Sequence, residues 1–222
     1  MIRAVLFDFD GLMADSEPLA EWAWNQVLTP YGHRLNGQIL EAVLGLRVID
    51  TSRFLCRHFD LPLSPEEAMA ERERVFLDAV PAQLRACDGL YPLLDELAAR
   101  GVPLAVATSG HRGYITLALE TLGVADRFQA LATGDEVANG KPAPDVYLLA
   151  AQRLDVPPAA CLVLEDAPLG IASARAAGMA CVAVPNPRLP PDAFGAANWV
   201  FPSLAAVLEH LDTLIDHQEH TG

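Results

Sequence analysis

A single lysine, Lys141, occurs in the 222 residues; the other fourteen basic side chains are arginines. Against them stand 29 aspartates and glutamates, giving a formal net charge of -14 at pH 7. That excess argues against binding nucleic acid or an anionic membrane surface. It also works against attracting an anionic metabolite from a distance. Any phosphate site must therefore be made locally, by a metal ion, a few cations and backbone N–H groups. The four cysteines, Cys56, Cys87, Cys161 and Cys181, lack any Cys-x-x-Cys spacing. No zinc site is suggested, and they read as reduced thiols packed as small hydrophobes. No apolar run approaches the roughly 20 residues needed to span a bilayer. No basic stretch followed by a long apolar region marks a secretory signal. The expectation is a soluble cytoplasmic protein, a monomer or weak dimer, with no nucleic-acid or membrane partner.

What is present is apolar sequence: 52% of the residues are hydrophobic. That content suits one large domain, or a core domain with a small second one. Ile2 to Phe7 is a short, nearly continuous apolar run, as in a strand buried on both faces. Pro103 to Ala107, Cys161 to Leu164 and Ala180 to Val184 look alike. Between and after them lie helical spacings: Leu90-Leu93-Leu94-Leu97 closed by Gly101, Ile115 to Leu122 closed by Gly123, and Val146 to Leu154. Pro168 to Ala177 is closed by Gly178, and Leu204 to Ile215 comes last. Strands alternating with helices predict an α/β fold with a doubly wound, Rossmann-like parallel sheet.

The stretch from about Ser16 to about Ala82 breaks this rhythm. Leu19 to Leu28, Gln38 to Val43, Val48 to Phe59 and Pro65 to Val80 all read as helix. That is too much helix for an ordinary crossover. The expected organisation is an α/β core of residues 1–15 and 83–222, with a helical cap domain of residues 16–82 inserted into it. An insert there would hang over the carboxyl ends of the strands, where open α/β sheets place their ligands.

Three groups of polar residues follow predicted strands, and a fourth, at Lys141, lies between two predicted helices. Asp8 and Asp10 are two apart, so in extended chain both carboxylates would face one pocket. Two such charges repel unless a cation sits between them, and a hard divalent ion such as Mg²⁺ would resolve the conflict. Asp8 could then attack phosphorus, while Asp10 acts as general acid and base. Gly11 lets the backbone turn and approach a phosphate. The plain alternative is an Asp-Gly turn after a strand. Glu165-Asp166 could complete the metal site, Asp166 as the closer ligand; the alternative is helix capping by Asp166. Thr108 and Ser109 could bind phosphate oxygens beside a helix N-terminus, or simply cap that helix. Lys141, in Gly140-Lys141-Pro142-Ala143-Pro144-Asp145, could stabilise charge shared by Asp8 and a phosphoryl group; the alternative is a solvated surface lysine.

In this order and spacing, the sequence resembles the haloacid dehalogenase superfamily. Asp8-Phe9-Asp10-Gly11-Leu12-Met13-Ala14-Asp15-Ser16-Glu17-Pro18 looks like its first motif. Thr108 matches the second, Lys141 the third and Glu165-Asp166 the fourth. The likeness covers the whole chain, and is closest to the group containing β-phosphoglucomutase and small sugar-phosphate phosphatases. It implies an aspartyl phosphate on Asp8. It also implies Mg²⁺ held by Asp8, the backbone carbonyl of Asp10, Asp166 and Glu165.

Three departures narrow the choice. Asp10 is present where haloacid dehalogenases lack the second aspartate. The Schiff-base lysine that phosphonatases carry in the cap is absent. Ala20 stands where β-phosphoglucomutases have a histidine. The expected function is Mg²⁺-dependent hydrolysis of a small phosphate ester, a sugar or polyol phosphate. The alternatives are a phosphomutase on the same scaffold and, more remotely, a non-enzymatic phosphoaspartate signalling domain. Gly45-Leu46-Arg47 resembles a substrate-contacting turn of related caps. Arg47 could grip a hydroxyl or second anion, or be an exposed helix arginine. Glu17 is a further candidate contact.

Overall fold

Short apolar runs that cannot cover both of their faces alone assemble here into one sheet. The computed structural model describes residues 1–43 and 48–216. Met1–Asp15 joins the chain from Arg85 onward in one compact unit, and Ser16–Leu84 forms the other.

In the first unit, strands β1 (Ala4–Phe7), β2 (Leu104–Ala107), β3 (Ala130–Ala132), β4 (Cys161–Glu165), β5 (Ala180–Ala183) and β6 (Trp199–Val200) form a parallel sheet. Their order is β3-β2-β1-β4-β5-β6. Helices α5 (Leu90–Ala99), α6 (Arg112–Leu122), α7 (Asp145–Leu154) and α8 (Pro168–Ala176) connect them, and α9 (Leu204–Glu209) and α10 (Leu211–Ile215) follow. Side chains alternate across each strand. Ala4, Leu6, Ala105, Ala107, Cys161, Val163, Cys181 and Ala183 pack with Val146, Tyr147 and Ala150 of α7 and Ile171 and Ala174 of α8. The small residues on that face let α7 and α8 lie close to the sheet.

The winding reverses between β1 and β4, because the connections from β1 run outward to β3 and those after β4 run outward to β6. This switch point opens a crevice at the carboxyl ends of the two strands. Phe7 pairs with both Val106 and Leu164. Asp8, Thr108 and Glu165 therefore stand at the same end of three neighbouring strands.

Two strands lie outside the four apolar runs of the sequence. β3 has three residues and β6 two, on opposite edges, too short to register as runs. The last predicted helix is broken at His210 into α9 and α10.

The second unit is helical among its described residues: α1 (Glu17–Leu28), α2 (Gly37–Val43), α3 (Val48–His58) and α4 (Pro65–Gln83). Its core gathers Trp24, Val27, Leu28, Ile39, Leu55, Cys56, Leu61 and Ala68. Pro65 at the first position of α4 follows Ser64. The Ser64 hydroxyl accepts from Glu67 N–H while the Glu67 carboxylate accepts from Ser64 N–H. That reciprocal cap satisfies two otherwise orphaned donors and fixes where α4 starts.

Candidate active site

The chain leaves β1 at Phe7 and turns within a few residues. Gly11 takes φ +81°, its N–H bonds to the Ala14 carbonyl, and Asp10 bridges to Ala14. A Cβ at Gly11 would also collide with the Asp166 carboxylate. Glycine is thus required twice at this position, for the left-handed turn and for the close approach of the two loops.

The turn sends the two aspartates to different partners. Asp8, buried, has Oδ1 2.5 Å from Lys141 Nζ. Asp10, half-buried, has Oδ1 2.7 Å from the Tyr114 hydroxyl. The carboxylates gathered with Asp8 are instead those of Glu165 and Asp166. One oxygen from each of the three lies within 4.8 Å of the others.

Lys141 sits at the centre. Its side chain is only 6% exposed. Besides Asp8 it donates to Glu165 Oε1 at 2.7 Å, the Tyr147 hydroxyl at 3.0 Å and the Ala107 carbonyl at 3.2 Å. The solvated-surface alternative for this lysine therefore fails. Tyr147, fully buried on α7, donates in turn to Glu165 Oε1 at 2.7 Å. Glu165 Oε2 accepts from the N–H groups of Asp166 and Ala167 at 3.0 and 3.1 Å. Both Glu165 oxygens are thus tied to the protein, and a Cβ at Gly170 would occupy the space the carboxylate fills. Asp166 Oδ2 accepts from Asn186 Nδ2 at 3.0 Å.

Among the described residues, three carboxylates meet one ammonium here, leaving two negative charges uncompensated. Burial pushes the Asp8 carboxyl well up, the Glu165 and Asp166 charges add to this, and Lys141 opposes them. Asp166 is pushed up to about 7, by burial first and then by Glu165. Burial works against the Lys141 charge, but Asp8 and Glu165 outweigh it and hold its pKa above the ordinary lysine range. An all-oxygen donor set with this excess of negative charge fits a hard divalent cation.

Thr108 is buried just beyond β2. Its Oγ1 accepts from Gly110 N–H at 3.0 Å, which leaves the hydroxyl proton to be donated elsewhere. Ser109 is exposed beside it. Glu17 opens α1 and belongs to the helical unit. Arg47 lies outside the described residues. Tyr114, Tyr147 and Asn186 were not singled out from sequence. A phenol within an otherwise apolar helix face, as at Val146-Tyr147 and Ala150-Ala151, needs a polar partner and was the available signal.

The family model for haloacid dehalogenase-like hydrolases matches residues 5–184. The chain is 38% identical over 206 residues to a probable pseudouridine-5'-phosphatase of Drosophila melanogaster, covering 90% of this chain and 89% of that one. It is 35% identical over 182 residues to a fructose-1-phosphate phosphatase of Escherichia coli, covering 81% and 95%. Among solved structures, CbbY of Rhodobacter sphaeroides in complex with phosphate superposes with a TM-score of 0.82 at 29% identity, over 96% of this chain and 100% of that one. A buried acidic cluster around one lysine at the switch point of a parallel sheet, with these matches over most of its length, makes the chain a member of the haloacid dehalogenase-like hydrolases, of the phosphoric monoester hydrolase class.

Proposed function

We propose that the chain hydrolyses a small phosphorylated metabolite, a sugar or polyol phosphate, through a phosphoaspartate on Asp8 with Mg²⁺ as cofactor. The single observation that carries the reading is Lys141 Nζ bridging Asp8 and Glu165 at the ends of adjacent strands. Asp8, Asp166 and the Asp10 main-chain carbonyl would hold the ion, with Glu165, whose oxygens already accept from the protein, acting directly or through water. When bound it would offset the two unpaired negative charges and the charge of the phosphoryl oxygens.

The chain's own residues have distinct tasks. Lys141, fastened to Asp8 Oδ1, fixes the carboxylate rotamer and offsets charge as the phosphoryl group arrives. Thr108, Ser109 and the N–H groups around Gly11 bind its remaining oxygens. Asp8 forms a bond to phosphorus as the ester P–O bond breaks, and Asp10 gives its proton to the departing alcohol. Asp10 then takes a proton from water. The water oxygen bonds to phosphorus, the Asp8–phosphorus bond breaks, and inorganic phosphate leaves. Phosphoryl transfer depends mainly on such positioning and charge stabilisation.

Substrate choice is assigned to the helical unit as a cap domain, with Glu17 and Arg47 as candidate contacts. The relatives' names, a pseudouridine-5'-phosphatase and a fructose-1-phosphate phosphatase, support a phosphorylated sugar-like substrate. Asp8→Asn is expected to abolish phosphate release from p-nitrophenyl phosphate, and EDTA to do the same to wild type, with Mg²⁺ restoring it. Undiminished turnover in either arm refutes the assignment.

A further inference from the structure

Resting on the acid–base role given to Asp10, we propose that Tyr114 is a positioning residue that aims the Asp10 carboxyl through both proton transfers. Asp10 stands just after β1, in the turn that Gly11 closes. Its Oδ1 meets the Tyr114 hydroxyl at 2.7 Å, and that hydroxyl is held on a rigid base. Tyr114 lies in the first turn of α6 and is 6% exposed. Its backbone N–H donates to His111 Nδ1 at 3.2 Å, which caps the helix. Its ring stands edge-on to Phe9, with centroids 5.9 Å apart at 89°. Phe9 is the residue immediately before Asp10, so one aromatic contact and one hydrogen bond join α6 to the same turn.

A phenol suits this task. As a donor it bonds Oδ1 when Asp10 is ionised, and it can bond the same oxygen when the proton rides on Oδ2. Oδ1 is therefore held in both protonation states and Oδ2 carries the proton. In the first half-reaction the Oδ2–H bond breaks as the ester oxygen takes the proton. In the second, Oδ2 takes a proton from the attacking water. Without the phenol the carboxyl loses this hydrogen bond, and general-acid help to the leaving group falls.

Two esters of similar size separate this from a packing role: phenyl phosphate, whose leaving phenolate needs a proton, and p-nitrophenyl phosphate, whose leaving group needs little. The ratio kcat/KM reports the first half-reaction alone. Tyr114→Phe keeps the ring and removes one oxygen. It should lose about tenfold in kcat/KM on phenyl phosphate and less than about threefold on p-nitrophenyl phosphate. In an Asp10→Asn background, the same change should cost less than about twofold on phenyl phosphate. An equal loss on both esters, no loss on either, or a full loss in the Asp10→Asn background would each overturn the proposal. Should Tyr114→Phe unfold, the double-mutant comparison is made with Tyr114→Trp, judged by the same ratio. Wild type inert toward both esters would instead sink the phosphatase reading, and Tyr114 with it.

Discussion

Two charged clusters in the α/β unit use the same chemistry in opposite proportions. Around Glu136, two arginines converge on one carboxylate. Arg153 grips it with both terminal nitrogens, each at 3.0 Å, and Arg112 adds a bond of 2.7 Å. The N–H and hydroxyl of Thr133 complete the set at 3.1 and 2.9 Å. Around Lys141 the ratio is inverted, one ammonium to three carboxylates, and the group is far more deeply buried. The Arg153 bond, helped by Arg112 and Thr133, outweighs burial and holds the Glu136 carboxyl well below the usual range. At Asp8 and Asp166 burial wins and pushes the carboxyls up. An ion cluster with cations in excess stabilises its own acid. One with acids in excess, buried, opposes folding unless a further cation offsets it. The first ties α6, β3 and α7 together; the second reads as a site.

The largest test of this contrast removes the lone cation. Lys141→Met leaves three buried carboxylates without their ammonium, a class of change that costs about 3–5 kcal/mol. For a chain of this size that lowers Tm by roughly 10 °C. Phosphatase activity should fall at least about a thousandfold, because Asp8 loses its orienting partner. Thermal unfolding and phosphate release measure the two effects separately. A variant with unaltered Tm would mean that the carboxylates are not under the mutual repulsion inferred here.

A smaller effect is expected one bond further out, at Tyr147. Its hydroxyl touches both Lys141 and Glu165, and its ring lies under the ammonium, with Nζ 4.7 Å from the ring centroid. Tyr147→Phe keeps the ring and deletes the oxygen. A hydrogen bond to a charged group contributes about 1.5–3 kcal/mol. We expect kcat to drop about tenfold with KM changed less than about twofold, since the loss falls on the orientation of Lys141 rather than on substrate contacts. Steady-state kinetics decide it. An unchanged kcat would reduce Tyr147 to a core residue of α7.

These two positions also mark how far the sequence could be read. Asp8 and the Glu165-Asp166 pair stood out because each follows an apolar run, and Lys141 because it is the single lysine in the sequence. The parallel sheet was legible from four runs buried on both faces, while β3 and β6 were not, having too few residues to form a pattern. The direction of Asp10 was not legible. Period-two alternation holds only in extended chain, and the chain stops being a strand at Phe7. Tyr114 and Tyr147 were hidden for another reason. On a helix face a tyrosine shares the spacing of the apolar residues around it, and only the fold reveals where its hydroxyl ends. Arg47 lies in a stretch outside the described residues, so its reading rests on sequence alone.

The smallest effect belongs to the arginine-rich cluster and turns on pH. Glu136→Gln keeps an oxygen for the Thr133 N–H and removes the charge that Arg112 and Arg153 address. Those arginine side chains are 45% and 34% exposed, so solvent screens the pairing and the expected cost at pH 7 is only about 1 kcal/mol. The sign follows from the depressed pKa. A carboxylate held below its unfolded value adds stability that is fully present above the unfolded pKa, and loses it as pH falls through the folded one. Wild type and Glu136→Gln should therefore differ most above about pH 5 and converge as the solution is acidified below about pH 4, near the ordinary glutamate range. Denaturant midpoints measured across that range read the difference directly. Phosphatase activity should stay within about twofold of wild type at pH 7, because the carboxylate belongs to the scaffold. If the gap widened on acidification, Glu136 would have to be held above its unfolded pKa, which two arginines and a threonine N–H cannot do.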